Sequence, residues 1–99
     1  MAHTIVWSPR AIDDVEAIAA YIAEDSESYA ASVVRDILAK TRRLSEFPYL
    51  GRIVPEFGDD TVREPFSYSY RIVYRIEAEK ITIAAIIHGE RLMELAIDP

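Results

Sequence analysis

Apolar and polar positions change period several times along this chain, and each change marks an element. Ile5, Val6 and Trp7 close a short strand-forming run after His3-Thr4. Ser8-Pro9 then predicts a helix start. Ser8 suits the N-cap, and Pro9 suits the first helical position, where its missing N–H is harmless. Ile12, Val15, Ile18, Ala19 and Ile22 recur at helical spacing. Asp13, Asp14 and Glu16 fall in the first turns, where carboxylates suit the positive end of the helix dipole. The polar cluster from Glu24 to Ser28 interrupts the period. A second stripe follows through Ala30, Val33, Val34, Ile37, Leu38, Thr41 and Leu44, and Phe47-Pro48 ends it. So short a break between two helices predicts an antiparallel helical hairpin.

Residues 49–60 are rich in turn formers (Gly51, Pro55, Gly58) and carry no period. Three strand-like runs come next, at 61–66, 68–77 and 80–88. The order β-α-α-β-β-β predicts an α+β domain over residues 1–99, with the helical hairpin on one face of a mostly antiparallel sheet. The first strand has two possible places, at an edge or beside the last strand.

Strand parity sorts the side chains by face. Tyr68, Tyr70, Ile72, Tyr74 and Ile76 share one side of their strand, against Ser69, Arg71, Val73 and Arg75. In the last strand Ile81, Ile83, Ala85 and Ile87 oppose Thr82, Ala84, Ile86 and His88. The more apolar sets belong against the helices. The open face then carries Arg71, Arg75, Thr82 and His88, with Arg63 joining from the strand before. The alternative for Arg71 and Arg75 is a solvated sheet face or salt bridges to Glu77 and Glu79, and for His88 a hydrogen-bonded structural residue.

Composition narrows the function. Ninety-nine residues allow one modest core, burying roughly 65% of the unfolded chain's surface. The absence of cysteine removes disulfides, thiolate metal sites and a cysteine nucleophile, and it suits a reducing cytosol. No apolar run approaches a membrane span, and the start lacks the pattern of a signal peptide, so a cytoplasmic protein is expected. No phosphate loop or metal-ligand spacing is present, so no cofactor is expected.

The net charge of -6 argues against a simple nucleic-acid binder. The charge is uneven, however. Residues 1–34 set Arg10 against six carboxylates, whereas residues 35–52 set Arg35, Lys40, Arg42, Arg43 and Arg52 against Asp36 and Glu46. A local basic face on an acidic protein therefore stays possible.

Four motifs in order give the chain a family likeness. Trp-Ser-Pro-Arg-Ala (7–11) opens the first helix, and Phe-Pro-Tyr-Leu-Gly-Arg (47–52) follows the second. Tyr-Ser-Tyr-Arg-Ile-Val-Tyr-Arg (68–75) forms a strand, and His-Gly-Glu-Arg (88–91) ends the last one. The chain resembles the RelE/ParE superfamily of toxins from type II toxin–antitoxin systems, often labelled plasmid stabilisation proteins.

That resemblance implies one of two targets. ParE-like members poison DNA gyrase, and RelE-like members are ribosome-dependent endoribonucleases that cut mRNA. Under the nuclease reading, Arg71 and Arg91 match family arginines and His88 resembles a histidine of some relatives. Cleavage through the 2′-hydroxyl needs such cations for the phosphate and a group such as His88 or Glu64 to move a proton. Two departures favour the ParE-like branch. The strand before offers Val62, Arg63 and Glu64 in place of lysines, and no tyrosine follows Arg91. A third reading is a non-toxic relative that still binds an antitoxin.

All three readings share a cognate antitoxin, expected to be of ribbon-helix-helix type, whose C-terminal segment folds onto the toxin. Trp7, Tyr21, Arg35, Arg42 and Arg43 are the expected contacts. DNA gyrase is the expected target, with the ribosome and mRNA as the alternative.

Overall fold

The computed structural model describes residues 2–89. Strand β1 spans Thr4–Trp7, helix α1 spans Pro9–Ala23 and helix α2 spans Glu27–Leu44. The remaining strands are β2 (Arg52–Ile53), β3 (Val62–Glu64), β4 (Phe66–Ser67), β5 (Tyr70–Ile76) and β6 (Lys80–His88). The expected α+β layout is present, with finer divisions. The run at 61–66 breaks at Pro65, which lacks the N–H a ladder needs, and leaves β3 and β4 on either side. β2 is an added two-residue strand inside the turn-rich segment.

Both helix starts rest on serine caps. The Ser8 hydroxyl accepts the Ala11 N–H at 3.0 Å, with Pro9 next in the chain. Ser26 accepts the Tyr29 N–H at 3.1 Å. Because Ser26 caps α2, the helix begins at Glu27, inside the cluster expected to be the break. The α2 stripe buries Ala30, Val33, Ile37, Thr41 and Leu44. In α1 the buried face is rotated from the expected one. Ala11 is fully buried while Ile12 is 45% exposed, so the core-facing line runs Ala11, Val15, Ile18, Ile22.

The strand order among the described residues is β1-β6-β5-β3-β2, with β4 pairing β5. β1 is therefore at an edge and also beside the last strand, which it joins in parallel, with Val6 opposite Thr82. The other pairings are antiparallel. Gly51 fits tightly against β3. A Cβ there would come within 2.7 Å of the Glu64 backbone, so only glycine allows this approach.

A β-bulge decides which side chains face the helices. Along β5 and β6, Tyr74 pairs with Ile83 but Val73 pairs with Ala85, leaving Ala84 as the extra residue. The expected strict alternation along β6 is therefore wrong beyond Ala84. Ile81, Ile83 and Ile86 join Ile72 and Tyr74 in the core beneath the helices. Ala85 and Ile87 join Val54, Val62 and Val73 in a second cluster on the other face. Each fully buried isoleucine contributes about 1.5–3 kcal/mol, so splitting them between two cores stabilises both faces.

The first turns of α1 stabilise the bulge. Ser8 donates its backbone N–H to the Ile83 carbonyl (3.0 Å) and its hydroxyl to the Ala84 carbonyl (2.9 Å). Asp14 accepts the Ile86 N–H at 2.9 Å. The first of these bonds continues the β1–β6 ladder from Trp7 opposite Ile83, and the other two satisfy backbone groups of β6 beyond the end of β1. Among the described residues, no helix is long and apolar enough to cross a membrane.

Candidate functional site

The face away from the helices carries Arg71, and its surroundings are acidic. β5 places Arg71 beside Val73 and opposite Phe66 of β4, with Ile87 of β6 on its other side. Its Nε donates to Glu64 Oε1 at 2.6 Å. Nη1 and Nη2 reach the two Glu56 oxygens at 2.8 and 2.7 Å, a bidentate clamp. Glu64 is shared, because Arg52 donates to its other oxygen at 2.8 Å. Arg52 also lies over the Phe66 ring, 5.0 Å from its centroid.

The Arg71 side chain is 4% exposed and that of Glu64 0%. The hydrogen bonds it donates to Glu56, ahead of the one to Glu64, push the Arg71 guanidinium above its ordinary value. It is a permanent cation held between two carboxylates. Val54 belongs to the cluster on this face, so the segment between β2 and β3 folds over it and brings Glu56 to Arg71.

The expected basic face does not assemble. Arg71, Arg75 and Thr82 do share a face, since Arg75 pairs with Thr82. His88 pairs with Tyr70, not Arg71, and its ring lies edge-on to Tyr70, with centroids 5.8 Å apart. The Ala84 bulge has turned His88 to the helix side. Arg63 is also turned away, paired with Tyr74. Its guanidinium binds Asp60 (2.6 Å) and the Gly51 carbonyl (3.0 Å) and stacks on Tyr49. Arg91 lies outside the described residues. Of the three expected nuclease residues, Arg71 and His88 are therefore on opposite faces.

On the helix side Tyr74 ties the sheet to the segment after α2. Its hydroxyl donates to the Pro48 carbonyl at 2.6 Å and accepts the Gly51 N–H at 3.0 Å. Burial raises its pKa, outweighing the opposing Gly51 hydrogen bond and the nearby Arg63 charge.

The residues expected to meet an antitoxin are distributed. Trp7 packs partly buried against the main core. Tyr21 on α1 is 72% exposed. Arg35, Arg42 and Arg43 are exposed on α2. Sequence reasoning missed Glu56 as a partner of Arg71 because it sits in an aperiodic segment. It missed Asp14 as a partner of β6 because a carboxylate near the start of α1 was already explained by the helix dipole, although the first turn itself, from Pro9, carries no acid. Among the described residues, no group of three or more His, Cys, Asp or Glu could hold a metal ion.

The family model described as "ParE toxin of type II toxin-antitoxin system, parDE" matches residues 5–93. Among solved structures, a chain described as "Chromosomal ParDE TA system from P. aeruginosa" superposes with a TM-score of 0.73. It is 22% identical, and the match covers 90% of this chain and 98% of that one. At that identity the likeness establishes the shared fold. No curated protein matches the chain.

Proposed function

Because the chain belongs to the ParE toxin family of type II toxin–antitoxin systems, we propose that it arrests growth by binding DNA gyrase in the cytoplasm and performs no chemistry of its own. The observation that carries the binding reading over RNA cleavage is the state of Arg71. A phosphate clamp must present open donors to an oxyanion. The Arg71 donors are taken up by Glu64 and Glu56 instead, at 2.6–2.8 Å. A phosphate would have to displace the Glu56 carboxylate and then sit beside Glu64. His88, one of the two groups expected to move a proton beside Arg71, is on the opposite face, and the other, Glu64, is buried between Arg71 and Arg52.

A cognate antitoxin then holds the chain inactive. We read it as a ribbon-helix-helix protein whose C-terminal segment folds on the toxin. Tyr21, Arg35, Arg42 and Arg43 offer exposed contacts on the hairpin, and the partly buried Trp7 lies on the edge strand. Expression of the chain alone in bacteria tests the proposal. It should arrest growth with a DNA-damage response and leave messenger RNA intact. Arrest accompanied by mRNA cut within codons supports the nuclease instead, and harmless expression supports a non-toxic antitoxin-binding relative.

A further inference from the structure

The turn between the two helices and the turn between β4 and β5 enclose a cleft of about 320 Å³. It is at the small end of ligand sites, suited to a single side chain. Tyr21, Tyr29, Tyr70 and His88 wall it with rings, and Asp25 contributes a carboxylate. Among the described residues, no lysine or arginine lines it, and the Asp25 carboxylate has no cation partner.

The rings are positioned rather than merely exposed. Tyr70 and His88 meet edge-on across the β5–β6 pair. Tyr29 meets Tyr68 edge-on with centroids 5.6 Å apart. Tyr68 holds that contact from the two-residue turn between Ser67 and Tyr70, at a φ of 54°. A tyrosine in this left-handed region is strained by about 1–3 kcal/mol. Burial raises the Tyr70 pKa, with smaller contributions from Tyr29 and Tyr21, so its ring stays a neutral phenol.

We propose that this cleft seats an arginine side chain of a partner protein segment, with its guanidinium against the tyrosine faces and paired to Asp25. Ring faces carry the negative end of the aromatic quadrupole, and a carboxylate at the rim adds a directed acceptor for a planar cation. The wider surroundings favour the same sign, since residues 1–34 carry one base against six acids. Tyrosine and arginine are also the residue types that most often dominate protein interfaces. The proposal deepens the antitoxin reading by naming the side chain that docks here, and it rests on that reading only for the partner's identity.

The test uses the intact chain and a probe of defined chemistry. Aromatic NMR resonances are followed while N-acetyl-arginine amide is added, with the isosteric but neutral N-acetyl-citrulline amide as control. The arginine compound should shift the Tyr21, Tyr29 and Tyr70 rings, and the citrulline compound should not. Asp25→Asn and Tyr21→Ala should each weaken binding about fivefold, the size of one exposed ion or cation–π contact. Both positions are exposed, so the thermal midpoint should hold. Equal shifts from both compounds, no shift from either, or unchanged affinity in both variants would overturn the proposal. So would stronger shifts from adenosine, which would identify a nucleobase pocket. The titration is independent of toxicity, so it can fail while gyrase inhibition stands, or succeed while gyrase inhibition fails.

Discussion

Arg71 and His88 lie on opposite faces of the sheet, because the residue paired with His88 is Tyr70. The pairing follows from one extra residue in β6. Without the Ala84 bulge, the parity set by Ile81 and Ile83 would carry His88 to the Arg71 side. Arg71 is left with Glu64 and Glu56, and its role becomes structural.

That role predicts a large stability effect. Arg71→Ala leaves the fully buried Glu64 with only Arg52 for company. Breaking one partner of a buried ion pair costs about 3–5 kcal/mol. Chemical denaturation should show a loss of that size. Loss of toxicity in Arg71→Ala would then report unfolding. A fully stable Arg71→Ala variant would contradict the account of this network.

Ser8 has two duties, and only one was legible in the sequence. Its cap of α1 follows from Ser-Pro before a helical stripe. Its hydroxyl also donates to the Ala84 carbonyl 76 positions away. An ordinary N-cap serine loses about 0.5–2 kcal/mol on change to alanine. Ser8→Ala should exceed that range, because the bulge carbonyl loses its donor as well. Thermal unfolding of Ser8→Ala beside Ser26→Ala checks the difference, since the Ser26 hydroxyl bonds within its own helix start. Equal losses would argue against the second duty.

The same contrast explains how far the sequence could be read. The two caps, the α2 stripe and the element order follow from local rules, because each depends on residues within a turn of one another. The bulge does not, because no residue type announces it. Ala84 lies in an apolar run that fits either register, and the groups that fix it come from α1. One unmarked residue flips every side chain beyond it, so strict alternation places His88 with Arg71 and the bulge separates them. Ile12 misled for a related reason. Its apolar character fits the stripe, yet the smaller Ala11 occupies the core line.

Alkali should weaken the fold through Tyr74. Burial raises its folded pKa above the ordinary 10.0, so the folded state favours the protonated phenol. That contribution is whole below about pH 10 and is lost as pH rises through the raised folded value. Tyr74→Phe should remove this part of the decline, leaving a smaller one from Tyr70, whose pKa burial also raises. At neutral pH the same variant should cost about 1–3 kcal/mol, because the Gly51 N–H and Pro48 carbonyl lose their partner. Denaturation at pH 8 and pH 11 for both proteins is the check.

Acid should act at Asp36, which links α2 to β4. The Ser67 hydroxyl donates to it at 2.6 Å and, with a smaller contribution from Lys40 at 3.0 Å, lowers its pKa below 3.8. The stabilisation is whole above 3.8 and fades as pH falls through the lowered folded value. Ser67→Ala should move the Asp36 titration upward, read by carboxyl carbon NMR. An unmoved titration would leave the link without energetic weight.

Gyrase inhibition is tested by supercoiling with purified DNA gyrase and the purified chain added at micromolar concentration. Supercoiling should be inhibited. Normal supercoiling, together with cleavage of mRNA on translating ribosomes by the same preparation, would contradict it.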